Sequence, residues 1–359
     1  MKRMTLAVAS IGLLALALTG CSTASPASNS NKDALVIAFL MPCSTCADRF
    51  ESKDKPYFEE AVKALDPNIK VIANNAQGNA ATQLQQAEAA LTNGAKVIVV
   101  SPFTAEAGAS IASKAKAAGA VVVAYDGAIE GAVPAAYVSF QNKSVGEAQG
   151  KYLLDKLPAG STVAMINGDI TSGPGREFKA GALSVLKPAF DSGKLILGYS
   201  SDTAGFDPAT GQRSMEQALT QLGDKVQGVI APNDGLANAV ITALTARGLN
   251  GKVLVTGQDA TDAGLTSIIL GDQSMTVYKS IRDEAKAAAQ IAVALAKGDK
   301  AKVKTFTTSI VNNGTGDVPA VLLDGIVVTK DNIADTVIKD GFTSKKKICI
   351  AAAAALCPL

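Results

Sequence analysis

From residue 34 onward the chain alternates short, continuous runs of β-branched and aliphatic residues with longer, alanine-rich stretches of amphipathic pattern. The apolar runs predict strands at 35–40, 69–73, 96–100 and 121–125, then at 162–166, 194–199, 226–230 and 253–256. They are continuous rather than alternating, the pattern of strands covered on both faces. Between them the spacing predicts helices at 56–65, 80–92, 105–118, 144–157, 176–190, 211–222 and 235–247, with a long one at 280–297 after the second set. Strand and helix follow one another about every 25 to 35 residues, which predicts parallel sheets with right-handed crossovers. The alternation occurs twice with a break near Val138, so the expected fold class is α/β with two doubly wound parallel-sheet lobes.

The first residues form a separate object. Lys2 and Arg3 precede an apolar run over 6–18, followed by Leu18-Thr19-Gly20-Cys21. This reads as a secretory signal peptide over 1–20, the run being shorter than the ~20 residues of a membrane span. A small residue before a single cysteine resembles the lipobox of bacterial lipoproteins, which makes Cys21 the lipidated first residue of the mature chain. A diacyl anchor suffices for stable attachment, and the Ser-, Ala- and Asn-rich segment that follows reads as a flexible tether over 21–33. The mature protein is therefore expected outside the cell, held to the membrane only through lipid.

Composition narrows the chemistry. Lysine plus arginine is 34 against 32 acidic residues, and a net charge of +2 provides no field for nucleic acid. The absence of histidine removes the imidazole-based triads, the usual neutral-pH general base and His-based zinc sites. Hydrophobic residues make up 48% but aromatics only 4%, so the core must be aliphatic and an aromatic near a polar cluster is informative. No cofactor and no metal are expected. Beyond Cys21 there remain Cys43, Cys46, Cys349 and Cys357. In an oxidising compartment these read as disulfides, local pairing being the simplest of three connectivities; an exported thiol-disulfide oxidoreductase using Cys43 and Cys46 is the rival from another class.

In doubly wound sheets ligands lie at the carboxyl ends of the strands. Polar groups gather there: Cys43 to Arg49 after the first strand, Asp126 after the fourth, Asp169 to Arg176 after the fifth, Asn233 and Asp234 after the seventh, Gln258 and Asp259 after the eighth. Carboxylates, amides, an arginine and a lysine, with Phe50 and Phe206 as flat apolar faces and no nucleophile–base pair, suit the hydroxyls and C–H faces of a monosaccharide or polyol.

These residues resemble a known family, the periplasmic-type sugar-binding proteins of ABC importers, in the ribose, xylose and galactose class. The likeness covers nearly all of 34–342 and is carried by Tyr137-Val-Ser-Phe-Gln-Asn-Lys-Ser-Val-Gly-Glu147, Leu186-Lys-Pro188, Asp191-Ser-Gly-Lys194, Pro232-Asn-Asp234, Gly251-Lys-Val253, Gly257-Gln-Asp-Ala260, Met275-Thr-Val-Tyr-Lys279 and Asp335-Thr-Val-Ile-Lys-Asp-Gly-Phe342. The resemblance implies a type I periplasmic binding protein: a monomer of two lobes joined by three hinge crossovers, closing over one sugar and handing it to a permease. It implies an N-terminal lobe of 34–137 and 279–305, a C-terminal lobe of 138–278 and 306–343, and a tail over 344–359. By the same resemblance Arg49 and Phe50 match an Arg-aromatic pair, Asp126 an acceptor of hydroxyl protons, Arg176 a basic position opening a C-lobe helix, and Phe206 a stacking aromatic; Asn233 and Asp259 match a polar pair and Lys279 a hinge-side lysine.

Three departures bear on the choice of sugar. Gly127 stands where such proteins usually carry an arginine, and Cys43 to Cys46 replaces an acidic stretch. The segment 169–175 lacks an Asp-Asn-Asn run, leaving Asp169, Thr171 or Ser172 to contribute. Another pentose, a hexose or a polyol is thus admitted beside xylose, and a nucleoside or signalling furanose is the alternative ligand for the same fold.

Overall fold

The computed structural model describes residues 34–47, 49–350 and 353–357. The expected signal peptide, the tether and Cys21 lie outside the described residues. The first sheet contains β1 (Val36–Met41), β2 (Lys70–Asn75), β3 (Ala95–Val100), β4 (Val121–Tyr125) and β5 (Ala136–Phe140). A second sheet contains β6 (Ser161–Asn167), β7 (Leu195–Asp202), β8 (Gly228–Ile230) and β9 (Leu254–Val255), and β10 (Thr276–Tyr278) follows. After it come β11 (Ser309–Asn312), β12 (Asp317–Leu323) and β13 (Ile326–Val328).

The first sheet has the order β11-β12-β5-β4-β3-β1-β2, parallel except for the hairpin partner β11. The second, β7-β6-β8-β9, is parallel throughout, and β10 pairs antiparallel with β13. The chain passes between these systems at 140–142, 278–281 and 323–326.

The unbroken apolar character of β1 has a direct cause. Ile37, Phe39 and Met41 pack with Phe58, Val62, Ala288 and Ala292 on one face, while Val36, Ala38 and Leu40 pack with Ala87, Ala90, Ile111 and Ala115 on the other. The first set lies under helices Lys55–Leu65 and Ile281–Ala296, the second under Ala80–Thr92 and Ala105–Ala117. Each fully buried aliphatic or aromatic side chain contributes roughly 1.5–3 kcal/mol, and Phe39 adds a stacked contact to Phe58 and an edge contact to Tyr125 at 4.5 and 5.2 Å between ring centres. The alanine-rich helices lie close against the sheet, which leaves little room for aromatics elsewhere in the core.

One expected boundary moves. The resemblance assigns 306–343 to the second lobe, yet β11 and β12 complete the first sheet, β12 pairing with β5 from Ala320↔Tyr137 to Leu323↔Phe140. Val318 and Ala320 join the core under β3 and β4. The expected break near Val138 likewise falls inside β5, which stays in the first sheet through Phe140.

Candidate functional site

The carboxyl ends of both parallel sheets open onto one cleft of about 720 Å³ counting the open solvent at its mouth. On the first-sheet side, the segment after β1 turns through Cys43–Cys46 and delivers Arg49 at the start of the π-helical turn Phe50–Asp54. Arg49 is buried. Its Nε and Nη2 donate to the Asp54 carboxylate at 2.9 and 2.6 Å, Nη1 donates to Asp126 Oδ1 at 3.1 Å, and Nη2 also meets Glu284. Burial works against the guanidinium's charge, but Asp54, Glu284 and Asp126 overcome it and hold its pKa well above the ordinary value. The Tyr125 hydroxyl donates to Asp54 as well.

Asp126 follows β4 with φ of 56°, a left-handed conformation that Asp adopts more readily than most residues. Its amide donates to Val138 O, and its carbonyl accepts the hydroxyls of Tyr137 and Ser139. The side chain is thereby aimed into the cleft. Burial pushes its pKa up, and Arg49 and Lys279 outweigh that push, holding it below the usual carboxylate range.

On the opposite side, Lys279 leaves β10 with only 2% of its surface exposed. Its Nζ lies 3.7 Å from Asp126 and 3.6 Å from Asp259, and 4.8 and 5.7 Å from the ring centres of Phe140 and Phe178, within cation–π reach. Asp259 Oδ1 and Gln258 Oε1 are buried and accept no hydrogen bond from the described residues, and both residues line the cleft. Burial raises the Asp259 pKa in spite of Lys279. Asn233 has two duties: its Oδ1 caps a helix through Leu236 N at 2.9 Å, and its Nδ2 reaches the Cys46 carbonyl at 3.2 Å across the cleft.

The half-buried Phe206 lies against the Gly168 backbone, where an added Cβ would come 2.2 Å from the ring. Asp169 braces that corner, accepting Thr171 N at 2.7 Å, the Thr171 hydroxyl at 2.6 Å and the Gly205 amide. Ser172 is the N-cap of the helix Gly173–Asp191. The cleft thus brings together Arg49, Phe50, Asp126, Asp169, Ser172, Phe206, Asn233, Asp259 and Lys279.

Arg176 does not join them. Its helix starts at Gly173, earlier than the pattern placed it, so Arg176 stands on an exposed turn, donates to Ile170 O at 2.9 Å and pairs with Glu130. Asp54, Glu284 and Phe178 are parts that sequence reasoning did not select. Cys43–Cys46 and Cys349–Cys357 are each bonded, with Cα atoms 5.7 Å apart in both. Among the described residues no cluster of three or more acidic or cysteine side chains is placed to hold a metal ion, and no helix is long and apolar enough to cross a membrane.

The model of the periplasmic binding protein domain matches residues 37–300. The D-xylose-binding periplasmic protein of Escherichia coli strain K12 is 40% identical over 296 residues, 82% of this chain and 88% of that one. A carbohydrate transporter solute binding protein from Chloroflexus aurantiacus, solved in complex with D-glucose, has a TM-score of 0.79 at 29% identity, covering 87% of this chain and 98% of its own. An ABC transporter solute binding protein from Clostridium phytofermentans, solved with β-D-glucose, has a TM-score of 0.78 at 27% identity, covering 87% and 99%. These relatives are binding proteins rather than enzymes. With two parallel sheets opening onto one cleft and a match that spans most of its length, the chain belongs to the periplasmic binding protein family.

Proposed function

We propose that this protein is an extracytoplasmic receptor, anchored by lipid at Cys21, that captures one monosaccharide in the cleft by hinge closure and delivers it to an ABC importer. D-Xylose is the leading ligand, with related pentoses, hexoses and polyols as the class. The observation that carries this reading is the grouping of Asp126, Lys279 and Asp259 in a buried, aromatic-walled cleft, where Asp259 Oδ1 and Gln258 Oε1 accept no hydrogen bond from the described residues. Sugar hydroxyls donate to such acceptors, while Lys279 and Asn233 offer donors in return. Phe206 and Phe178 supply apolar faces for ring C–H groups. The likeness to the E. coli xylose-binding protein supports the pentose assignment.

A thermal-shift screen of protein beginning near Ser30 against pentoses, hexoses, polyols and nucleosides tests the ligand. A ligand at 100 times its dissociation constant adds about 2.7 kcal/mol of stability, so a true sugar gives a clear rise in midpoint. A response to nucleosides alone overturns the sugar assignment. Detergent partitioning of the full chain, lost on Cys21→Ser, tests the anchor.

A further inference from the structure

The turn carrying Asp259 is built against backbone preference. Asp259 and Ala260 have φ of 93° and 50°, two successive non-glycine residues in the left-handed region, which persists only where surrounding contacts over-determine it. Three consecutive amides supply those contacts. Asp259 N donates to Val277 O at 2.9 Å, Ala260 N to the Thr276 hydroxyl at 3.2 Å, and Thr261 N to Asp234 Oδ2 at 2.8 Å. The Thr276 hydroxyl in turn donates to Asp234 Oδ1 at 2.9 Å, so two of the three amides end on one buried carboxylate. Gln273 Nε2 donates to the same Oδ1 at 2.7 Å. Gly257 and Gly264 leave space for this group, since a Cβ at either would stand 2.3 Å from an Asp234 oxygen.

We infer that Asp234 and Thr276 are positioning residues for the binding site: they clamp the 259–261 turn in its left-handed form so that Asp259 presents its carboxylate to the ligand. Neither touches the cleft; both act through Asp259. The inference rests on the reading of Asp259 as a sugar contact given above.

Amide hydrogen exchange of the ligand-free protein decides the clamp, and calorimetric titration with D-xylose decides its consequence. Thr276→Val removes the relay hydroxyl and is expected to speed exchange at residues 259–261 selectively and to weaken D-xylose binding about tenfold. Thr276→Ser keeps the hydroxyl and is expected to restore both. In an Asp259→Asn background Thr276→Val is expected to cost no further affinity, because its route to the ligand has gone. Unchanged exchange, or an affinity loss of equal size in both backgrounds, overturns the inference. Asp259→Asn that binds D-xylose as the parent does, or a parent that does not bind it, overturns the reading beneath the inference, and the exchange data still decide whether the pair clamps the turn. Asp234→Asn, which puts an amide donor among donors, is the second variant if Thr276→Val fails to fold.

Discussion

On the first-sheet side of the cleft, Asp54, Asp126 and Glu284 converge on the guanidinium of Arg49, whereas on the second-sheet side the donors to Asp234 among the described residues are the neutral groups of Thr261, Gln273 and Thr276. Both arrangements hold buried acids through hydrogen bonds, and their electrostatics diverge. A cation at hydrogen-bond distance overcomes desolvation at Asp126 and keeps it below its ordinary pKa. Without one, burial prevails over the hydrogen bonds of Gln273, Thr261 and Thr276, and Asp234 is raised to about 7. Charge pairing keeps Asp126 ionised, although burial still raises Glu284 at the same guanidinium, while at Asp234 dipoles fix a geometry whose charge depends on pH.

The largest test of this contrast is Arg49→Met. Removing the partner of a buried ion cluster costs about 3–5 kcal/mol, so urea unfolding should show a loss of that order. A loss under about 1 kcal/mol would mean the acids around Arg49 are not charged, and the contrast would collapse. Next comes pH. The Asp234 pKa is raised from 3.8 to about 7 on folding, so its contribution to stability is fully present below 3.8 and is lost as pH rises through about 7. The slope is at most about 1.4 kcal/mol per pH unit. Asp234→Asn should flatten that part of the stability curve, with the raised Asp259 and Glu284 leaving a remainder; an identical slope in the variant would assign the effect to other groups.

Asp126→Ala is expected to leave the fold intact and weaken sugar binding at least about tenfold, ~1.4 kcal/mol, and titration that finds unchanged affinity would remove it from the site. The smallest effect belongs to the rim. Arg176→Ala breaks an ion pair whose side chains are 41% and 46% exposed, and affinity should change by less than about 1 kcal/mol, fading with added salt.

Much of this architecture was legible because it is local or periodic. The parallel strands at 36–41 and 121–125 announce themselves by runs such as Val121-Val-Val-Ala-Tyr125, buried from both sides. Asp126 is legible as a carboxylate just past such a strand. The hairpin of β11 and β12 is not legible in the pattern, because its edge position, with Ile310 73% exposed, mixes apolar and polar residues without the continuous signature. Glu284 was missed for a different reason: it reads as an ordinary acid in the first turn of a long helix, and its meeting with Arg49 spans 235 residues of sequence. The helix carrying Arg176 begins with Gly-Pro-Gly, residues of low helical propensity, which hid its true first turn.

The contact between Phe206 and Gly168 also imposes an order on descent. The three nearest atoms to a Cβ at position 168 all belong to the Phe206 ring, the closest at 2.2 Å, so alanine there requires that the ring move or be replaced. A lineage that exchanges Phe206 for a smaller residue can then fill position 168, after which the aromatic cannot return unless glycine returns first. The aromatic at this wall of the cleft is therefore easier to lose than to regain.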